Sequence, residues 1–251
     1  MSPPDNHEPE EQLAEGTLMS HLLELRSRLM KAVLAVIGVF LCLVPFTNDV
    51  FEYVSKPLRE ALPEGSQMIV TDVAAPFLTP FKTSFFVALF IAMPVVLFQV
   101  WQFVAPGLYK KEKRFAVPLM VSSIVLFYAG IAFAYFIVFR VMFTFFASVT
   151  PGGVEMTPDI SAYLSFVLGL FLAFGLAFEV PIATVMLIWS GLVSVKALKH
   201  ARPYVFLGAF IVGMVLTPPD VFSQTLLAIP MYLLYEAGLV MARIMLPEKM
   251  A

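Results

Sequence analysis

Glu179 is the first residue in this sequence that suggests chemistry, because it is a lone acid inside a long apolar stretch. The nearest charged residues on either side of it are Asp159 and Lys196. A carboxyl group near the middle of a bilayer must face a watery groove, pair with a polar group or be protonated. Ionisable residues in such positions usually serve a function, so we interpret Glu179 as a candidate functional residue. The alternative is a structural hydrogen bond to a neighbouring helix.

Two further carboxylates, Glu24 and Glu112, lie within clusters of basic residues. Glu24 is followed by Arg26 and Arg28, and Glu112 has two basic residues on each side. The simplest interpretation is that both carboxylates are solvated or favour the start of a helix. The alternative is that they capture a cationic peptide together, since a carboxylate can accept two parallel hydrogen bonds from an arginine side chain.

The segment 103–108 directly precedes the second of these carboxylates. Pro106 and Gly107 within it end a helix and turn the chain, and plain helix termination accounts for the segment. A functional interpretation instead places Phe103 and Leu108 on an apolar shelf beside the Glu112 carboxylate.

The residue types needed for other kinds of site are missing. Cys42 is the only cysteine, which excludes an intramolecular disulfide and a multi-cysteine metal site. The three histidines lie outside the long apolar stretches, and the sequence contains no catalytic motif. We therefore expect no enzyme activity, no cofactor, no metal and no nucleic-acid partner. One other acid in an apolar stretch, Glu236, is expected either to extend its carboxylate toward the membrane surface or to pair with Arg243 or Lys249.

Membrane-spanning helices must position these residues. Apolar residues make up 60% of the 251 residues and charged residues 14%, against about 25% charged residues in ordinary soluble domains. A soluble enzyme is therefore excluded. Because about 20 apolar residues cross a bilayer as a helix, the spacing of the charges predicts six spans. They are 29–47, 77–103, 115–139, 161–189, 203–218 and 221–241.

The predicted fold is all-α, a polytopic membrane protein with six kinked transmembrane helices in a curved bundle. The kinks are expected because prolines interrupt the spans and each removes a backbone hydrogen bond. These prolines are Pro80, Pro94, Pro118, Pro181 and Pro230.

The distribution of lysine and arginine predicts that both termini lie in the cytoplasm, because cytoplasmic segments carry the excess of these residues. Twelve lie on the side of the termini and four on the other side. The twelve are Arg26, Arg28, Lys31, Lys110, Lys111, Lys113, Arg114, Lys196, Lys199, Arg202, Arg243 and Lys249. The four are Lys56, Arg59, Lys82 and Arg140.

Three regions are predicted along the chain: an acidic disordered tail over 1–16, a single six-span domain over 17–247, and a short cytoplasmic tail over 248–251. The domain is expected to open with an amphipathic helix that lies at the membrane interface and then turns into the first span. Glu24 and Arg28 form an i,i+4 pair on the polar side of this helix. Four leucines form its apolar stripe: Leu18, Leu22, Leu25 and Leu29.

The connections on the outer side carry further signals. The first outer loop, predicted over 48–76, contains Pro57 at a predicted helix start and a β-favouring run over 68–71. The second outer loop is predicted over 141–160. Asp220 is expected to cap the sixth span by accepting a hydrogen bond from the backbone of Phe222 or Ser223.

Four stretches of the sequence resemble the TatC family, the polytopic core of the twin-arginine protein translocase. Each stretch alone is weakly to moderately specific, but four in this order within six predicted spans are highly specific. They are SHLLELRSR at 20–28, FVAPGLY at 103–109, the segment 165–181 that ends in FEVP, and LTPPDVFSQ at 216–224.

The resemblance implies that the chain binds twin-arginine signal peptides of folded cargo and takes part in export driven by the proton-motive force. It implies that Glu24 and Glu112 bind the paired arginines, with Phe103 and Leu108 on the same surface. It also implies a location in the bacterial plasma (inner) membrane and a complex with further copies and with TatA- and TatB-type single-span subunits. The intramembrane partner site would include Glu179, and the outer-face cap and partner contacts would include Pro57, Asp72, Asp220 and Gln224.

Two other functions are weighed against this resemblance. One is a proton-coupled small-molecule transporter with Glu179 as its coupling acid, which would favour inverted repeats and paired broken helices. The sequence has no visible repeat and one acid near mid-membrane. The other is a purely structural membrane scaffold. Six spans enclose too small a space for a folded protein, so we expect additional subunits to complete the passage.

Overall fold

The computed structural model of the protein describes residues 8–60, 68–104, 113–149, 157–217 and 220–245. Within these ranges it contains nine α-helices, and its β-type pairing is limited to one isolated bridge between Ile69 and Asp159. The prediction of an all-α fold is therefore confirmed. The helices are α1 (Glu8–Leu43), α2 (Thr47–Glu60), α3 (Ala75–Val104), α4 (Lys113–Phe133), α5 (Arg140–Val149), α6 (Ile160–Ala177), α7 (Val180–Trp189), α8 (Val195–Leu216) and α9 (Val221–Met245).

The first predicted span lies, up to Leu43, in one continuous helix of 36 residues, α1. The predicted turn between an interfacial helix and the first span is therefore wrong. The helix is continuous because residues 17–37 contain no proline or glycine that would interrupt it. Residues 8–16, which were predicted to be disordered, are also helical. Residues 1–7 of that predicted tail lie outside the described residues.

The first outer connection is more helical than predicted. A short 3₁₀ turn, Val44–Phe46, joins α1 to α2, which occupies the first part of the predicted loop. The negative charge of Asp49 lies in the first turn of α2, where it favours a helix N-terminus. Pro57 consequently lies in the last turn of α2, and the prediction that it starts a helix is wrong.

The fourth predicted span is broken into α6 and α7. Phe178 and Glu179 form a turn between the two helices. Pro181 follows directly and has no N–H group to donate to the carbonyl of Ala177, so the helical ladder is interrupted there. The predicted interruption at Pro181 is therefore confirmed, and it places Glu179 at the break itself.

The third predicted span continues further than expected. A π-helical segment, Ala134–Phe139, follows α4 and leads directly into α5. The predicted loop over 141–160 is therefore wrong for residues 141–149. The charge of Arg140 does not end the helix, because a long basic side chain can extend from a helix toward the membrane surface.

Five stretches of the described residues are long and apolar enough to cross a membrane. Residues 203–216 of the predicted fifth span lie in α8, which is not one of them, because Lys196, Lys199 and Arg202 occupy the first part of that helix. By length and composition the chain is a multi-pass membrane protein, and the count of six spans stays a prediction. The five stretches are Leu22–Lys56, Ala75–Phe103, Val117–Phe146, Ile160–Trp189 and Val221–Met245.

The helices pack in pairs around the broken span. α1 packs against α3, α4 against α6, and α9 against both α7 and α8. Close packing at two crossings depends on glycine. A Cβ on Gly130 of α4 would come within 2.4 Å of the Phe174 carbonyl oxygen, and a Cβ on Gly238 of α9 would come within 2.9 Å of the Pro181 Cα. The break at Glu179 is therefore held from two sides by backbones in close contact.

Asp159 joins the two outer connections. The Thr71 N–H and hydroxyl donate to one oxygen of Asp159 over 2.9 and 2.8 Å, and the Ala162 N–H donates to the other over 2.9 Å. The Ile69 N–H also donates to the Pro158 carbonyl over 3.1 Å. Hydrogen bonds from Ala162 and Thr71 to the charged carboxylate lower the pKa of Asp159 to about 2. The β-favouring run at 68–71 thus forms a short contact with the start of α6.

Candidate functional site

Glu179 lies at the turn between α6 and α7, where its side chain is directed at a neighbouring helix. The Ser123 hydroxyl of α4 donates a hydrogen bond to Glu179 Oε2. Ser123 itself is buried. Its position on a different span brings together two polar groups that are 56 residues apart in the sequence. This contact is the structural hydrogen bond to a neighbouring helix that the sequence left open as the alternative to a functional role.

The second carboxylate oxygen of Glu179 has a different environment. Glu179 Oε1 is buried and has no hydrogen-bond partner among the described residues. A buried polar atom without a partner costs free energy, so this oxygen is a ready acceptor for a donor from outside the described part of the chain.

Glu24 is held by Arg28 one helical turn later in α1. Arg28 Nε and Nη2 both donate to Glu24 Oε1, over 2.9 and 2.6 Å. Arg28 Nη1 also donates to the side-chain oxygen of Gln102 in the last turn of α3. The predicted i,i+4 pair is confirmed, and it additionally connects the two helices at their predicted cytoplasmic ends.

Phe103 follows Gln102 directly, so the segment 103–108 begins beside the Glu24 contact. The Phe103 side chain is half-buried. Leu108 and Glu112, the other two residues predicted to bind the signal peptide, lie outside the described residues. Their proximity to Glu24 therefore stays a prediction.

The four residues predicted on the outer face occupy two different helix starts and one helix end. Asp72 stabilises the turn into α3, because its Oδ1 accepts from the Ala74 N–H over 3.0 Å. Asp220 caps α9 by accepting from the Ser223 N–H over 2.7 Å, which confirms the predicted cap. Gln224, in the first turn of α9, packs its backbone near Gly213 of α8. Pro57 lies apart from these, at the end of α2.

Asp220 also has an unpaired oxygen. Its Oδ2 atom and the Ser223 hydroxyl oxygen are both buried without a hydrogen-bond partner among the described residues. The start of α9 therefore resembles the Glu179 site, because each contains an acid with one oxygen paired and one buried oxygen unpaired.

Glu236 pairs with a residue that the sequence did not suggest. Arg202 Nη2 of α8 donates to Glu236 Oε2 over 2.7 Å, and the Tyr232 hydroxyl donates to Glu236 Oε1 over 3.0 Å. The predicted partners were Arg243 and Lys249. The pairing with Arg243 is wrong because Arg202 approaches from the adjacent helix, and Lys249 lies outside the described residues.

Sequence reasoning missed Ser123, Gln102 and Arg202, each of which pairs with a candidate carboxylate or its neighbour. Ser123 could have been singled out from the sequence, since it is a polar residue in the middle of an apolar stretch. Gln102 and Arg202 lie at helix ends among other polar residues, and sequence alone does not single them out. Among the described residues no group of three or more His, Cys, Asp or Glu side chains could hold a metal ion.

Comparisons with known proteins identify the family to which the chain is similar. The sequence profile of the family described as Sec-independent protein translocase protein (TatC) matches residues 20–230. The chain is 62% identical to the Sec-independent protein translocase protein TatC of Azotobacter chroococcum mcd 1, over 88% of this chain and 87% of that protein. It is 58% identical to the TatC protein of Escherichia coli (strain K12), over 90% of this chain and 88% of that protein.

The fold is also similar to a solved structure. A crystal structure described as the twin arginine translocase receptor TatC superposes with a TM-score of 0.81 at 36% identity. The match covers 89% of this chain and 98% of the crystallised chain. The profile match, the two relatives and the shared fold together show that this chain belongs to the TatC family of Sec-independent protein translocase proteins.

Proposed function

We propose that the chain is the receptor subunit of a twin-arginine translocase and that Glu24 and Glu112 bind the paired arginines of the signal peptide. The observation that carries this proposal is the Glu24–Arg28 contact. Glu24 already binds a guanidinium group through one oxygen, and its partly exposed side chain leaves the carboxylate within reach of a peptide. The position is therefore suited to arginine recognition.

The membrane arrangement that we propose puts this site on the cytoplasmic face of a bacterial plasma membrane. The excess of lysine and arginine near the ends of the chain, at 110–114 and in the first part of α8 at 196–202 supports this orientation. A receptor for export signals must meet its ligand before transport, so the site belongs on the face where cargo is made.

Glu179 is proposed to recruit a single-span partner subunit of the TatA or TatB type. Its buried, unpaired Oε1 supports this role, because a polar residue of a partner helix could supply the missing donor. Asp220 and Gln224 at the start of α9 are proposed to contact partner helices near the outer face, with Pro57 and Asp72 in the outer cap. Additional copies or subunits would complete the passage for folded cargo.

A binding experiment tests the receptor proposal. The variant Glu24→Gln, Glu112→Gln is expected to bind a synthetic twin-arginine signal peptide at least roughly tenfold more weakly than the parent, since charge-assisted hydrogen bonds contribute about 1.5–3 kcal/mol each. The matched control is Asp49→Asn, Glu52→Gln, which removes two exposed acids of α2 and changes the net charge equally. Equal affinity for parent and test variant would refute the assignment.

A separate experiment tests the partner site. Glu179→Gln is expected to retain signal-peptide affinity, while crosslinking of the chain to a TatA-type helix falls and export of a folded reporter stops. Full export by this variant would remove Glu179 from the partner site without affecting the receptor proposal.

A further inference from the structure

Arg28 occupies the carboxylate that the receptor proposal assigns to the cargo. Two of its five N–H donors are directed at a single oxygen, Glu24 Oε1, and a third donates to Gln102 on α3. The Glu24 and Arg28 side chains are 32% and 20% exposed, so the pair lies partly out of water. The resting protein therefore contains a guanidinium group already bound at the proposed arginine site.

The geometry of this pair leaves room for a competitor of the same chemical type. Arg28 uses one carboxylate oxygen twice, whereas an arginine that approaches side by side with a carboxylate uses both oxygens in two parallel bonds. An incoming guanidinium can thus form a better contact than the resident one. Gln102 gives Arg28 a second hydrogen-bond acceptor when the Glu24 contact is lost.

We propose that Arg28 is a resident competitor that lowers the affinity of Glu24 for the signal peptide's arginine. Binding of the cargo arginine displaces Arg28 from Glu24, and the Gln102 side chain retains the displaced guanidinium at the end of α3. This inference rests on the proposed function of Glu24.

Competition of this kind lowers the affinity for a twin-arginine and for a twin-lysine peptide by the same factor. Either peptide can bind Glu24 only after Arg28 has been released, and the free energy of that release does not depend on the incoming group. A lysine ammonium group cannot form the two parallel bonds of a guanidinium, but that difference belongs to the contact with Glu24 and does not depend on Arg28.

The test is the binding of two peptides, one with the twin arginines and one with twin lysines, to the purified full chain. Arg28→Gln is expected to bind the twin-arginine peptide roughly threefold or more tightly than the parent does, because a competing charged contact is removed. The gain is expected to be the same factor for the twin-lysine peptide, because both peptides displace the same resident contact. Arg28→Lys, which retains the charge without the guanidinium fork, is expected to lie between the parent and Arg28→Gln.

Arg26→Gln is the matched control, because it removes the same charge two residues earlier from an exposed side chain of the same helix. Its gain in affinity is expected to be smaller for both peptides. The inference is overturned if Arg28→Gln binds no more tightly than the parent, or if Arg26→Gln reproduces its gain. Thermal unfolding of each variant separates a folding defect from a change in affinity, and Arg28→Lys supplies the comparison if Arg28→Gln does not fold.

The single substitution Glu24→Gln separates this inference from the proposed function. If Glu24→Gln weakens signal binding and Arg28→Gln does not strengthen it, only the competition is refuted. If Glu24→Gln leaves signal binding unchanged, both the role of Glu24 and the competition are refuted.

Discussion

Ser123 and Glu179 form a polar contact between α4 and the break that separates α6 from α7. The Ser123 hydroxyl donates to Glu179 Oε2, while Glu179 Oε1 is buried without a partner among the described residues. The helix break and this contact act on the same residue. Pro181 removes the helical hydrogen bond that would otherwise pass beside Glu179, and Ser123 holds the carboxyl group against α4.

Removal of the Ser123 hydroxyl is expected to destabilise this arrangement. Ser123→Ala leaves Glu179 without its intramolecular donor, and we expect a loss of about 0.6–2 kcal/mol in the free energy of unfolding, the usual range for hydrogen bonds between membrane helices. Thermal unfolding of the purified protein in detergent measures this loss.

Ser122→Ala is the natural control for that measurement. The Ser122 hydroxyl donates over 2.9 Å to the Pro118 carbonyl of its own helix and is exposed. Its removal is expected to change the stability much less. Equal losses for the two variants would show that the contact between Ser123 and Glu179 contributes nothing specific.

Gly238 provides a second way to disturb the break, by steric crowding. In Gly238→Ala the new Cβ would lie 2.9 Å from the Pro181 Cα and 3.0 Å from the Thr184 side chain. Because a backbone atom cannot move aside as a flexible side chain can, we expect a loss of about 1–3 kcal/mol in stability. Gly208→Ala in α8 is the control, since nothing lies within 4 Å of the added methyl group there. A loss in Gly208→Ala equal to that in Gly238→Ala would contradict the packing explanation.

Local contacts were predictable from the sequence in this protein. The Glu24–Arg28 pair and the Asp220 cap each join residues three or four positions apart, where helix geometry alone brings the groups together. The interruption at Pro181 was predicted from the proline itself, whereas the other four prolines that were expected to interrupt spans lie inside continuous helices. They are Pro80, Pro94, Pro118 and Pro230. The assignment to the TatC family was also correct, and it was possible because the four stretches that carry it are local sequence patterns. Membership of that family argues against the small-molecule transporter.

Contacts between helices were not predictable in the same way. Ser123 and Glu179 are 56 residues apart, and Arg202 and Glu236 are 34 apart. Which faces of two helices meet depends on packing, which a charge count does not contain. Some helix ends were predicted wrongly for a related reason. The charge of Arg140 suggested that the helix would end there, but the helix continues through this residue.

The contact of Asp159 with Thr71 is expected to depend on pH. The pKa of Asp159 is lowered from 3.8 to about 2 in the folded protein, so its charged form is stabilised by folding. This contribution is fully present above pH 3.8, falls as the pH drops toward 2, and is absent below 2. Hydrogen-exchange protection of the Thr71 amide, which donates to Asp159, should therefore fall over this interval.

Asp159→Asn is the comparison for that titration, because its side chain retains an acceptor but does not titrate. The difference in Thr71 protection between the parent and this variant should narrow as the pH falls from 3.8 to 2. Asp72→Asn changes the adjacent carboxylate, which accepts from the Ala74 N–H two residues later, and it should leave the pH dependence of Thr71 in place. If protection of the Thr71 amide depends on pH in the same way in the parent and in Asp159→Asn, protonation of Asp159 does not control this contact.

The pair of Arg202 and Glu236 makes the last prediction. Glu236 accepts hydrogen bonds from Arg202 of α8 and from Tyr232 of its own helix, so its carboxylate helps to hold α8 against α9. In a double-mutant cycle of Arg202→Gln and Glu236→Gln, the loss of stability in the double variant should be smaller than the sum of the two single losses. The same cycle with Arg243→Gln in place of Arg202→Gln should be additive, since Arg243 is not the observed partner of Glu236. Coupling to Arg243 instead of Arg202 would restore the pairing that the sequence suggested and contradict the observed contact between α8 and α9.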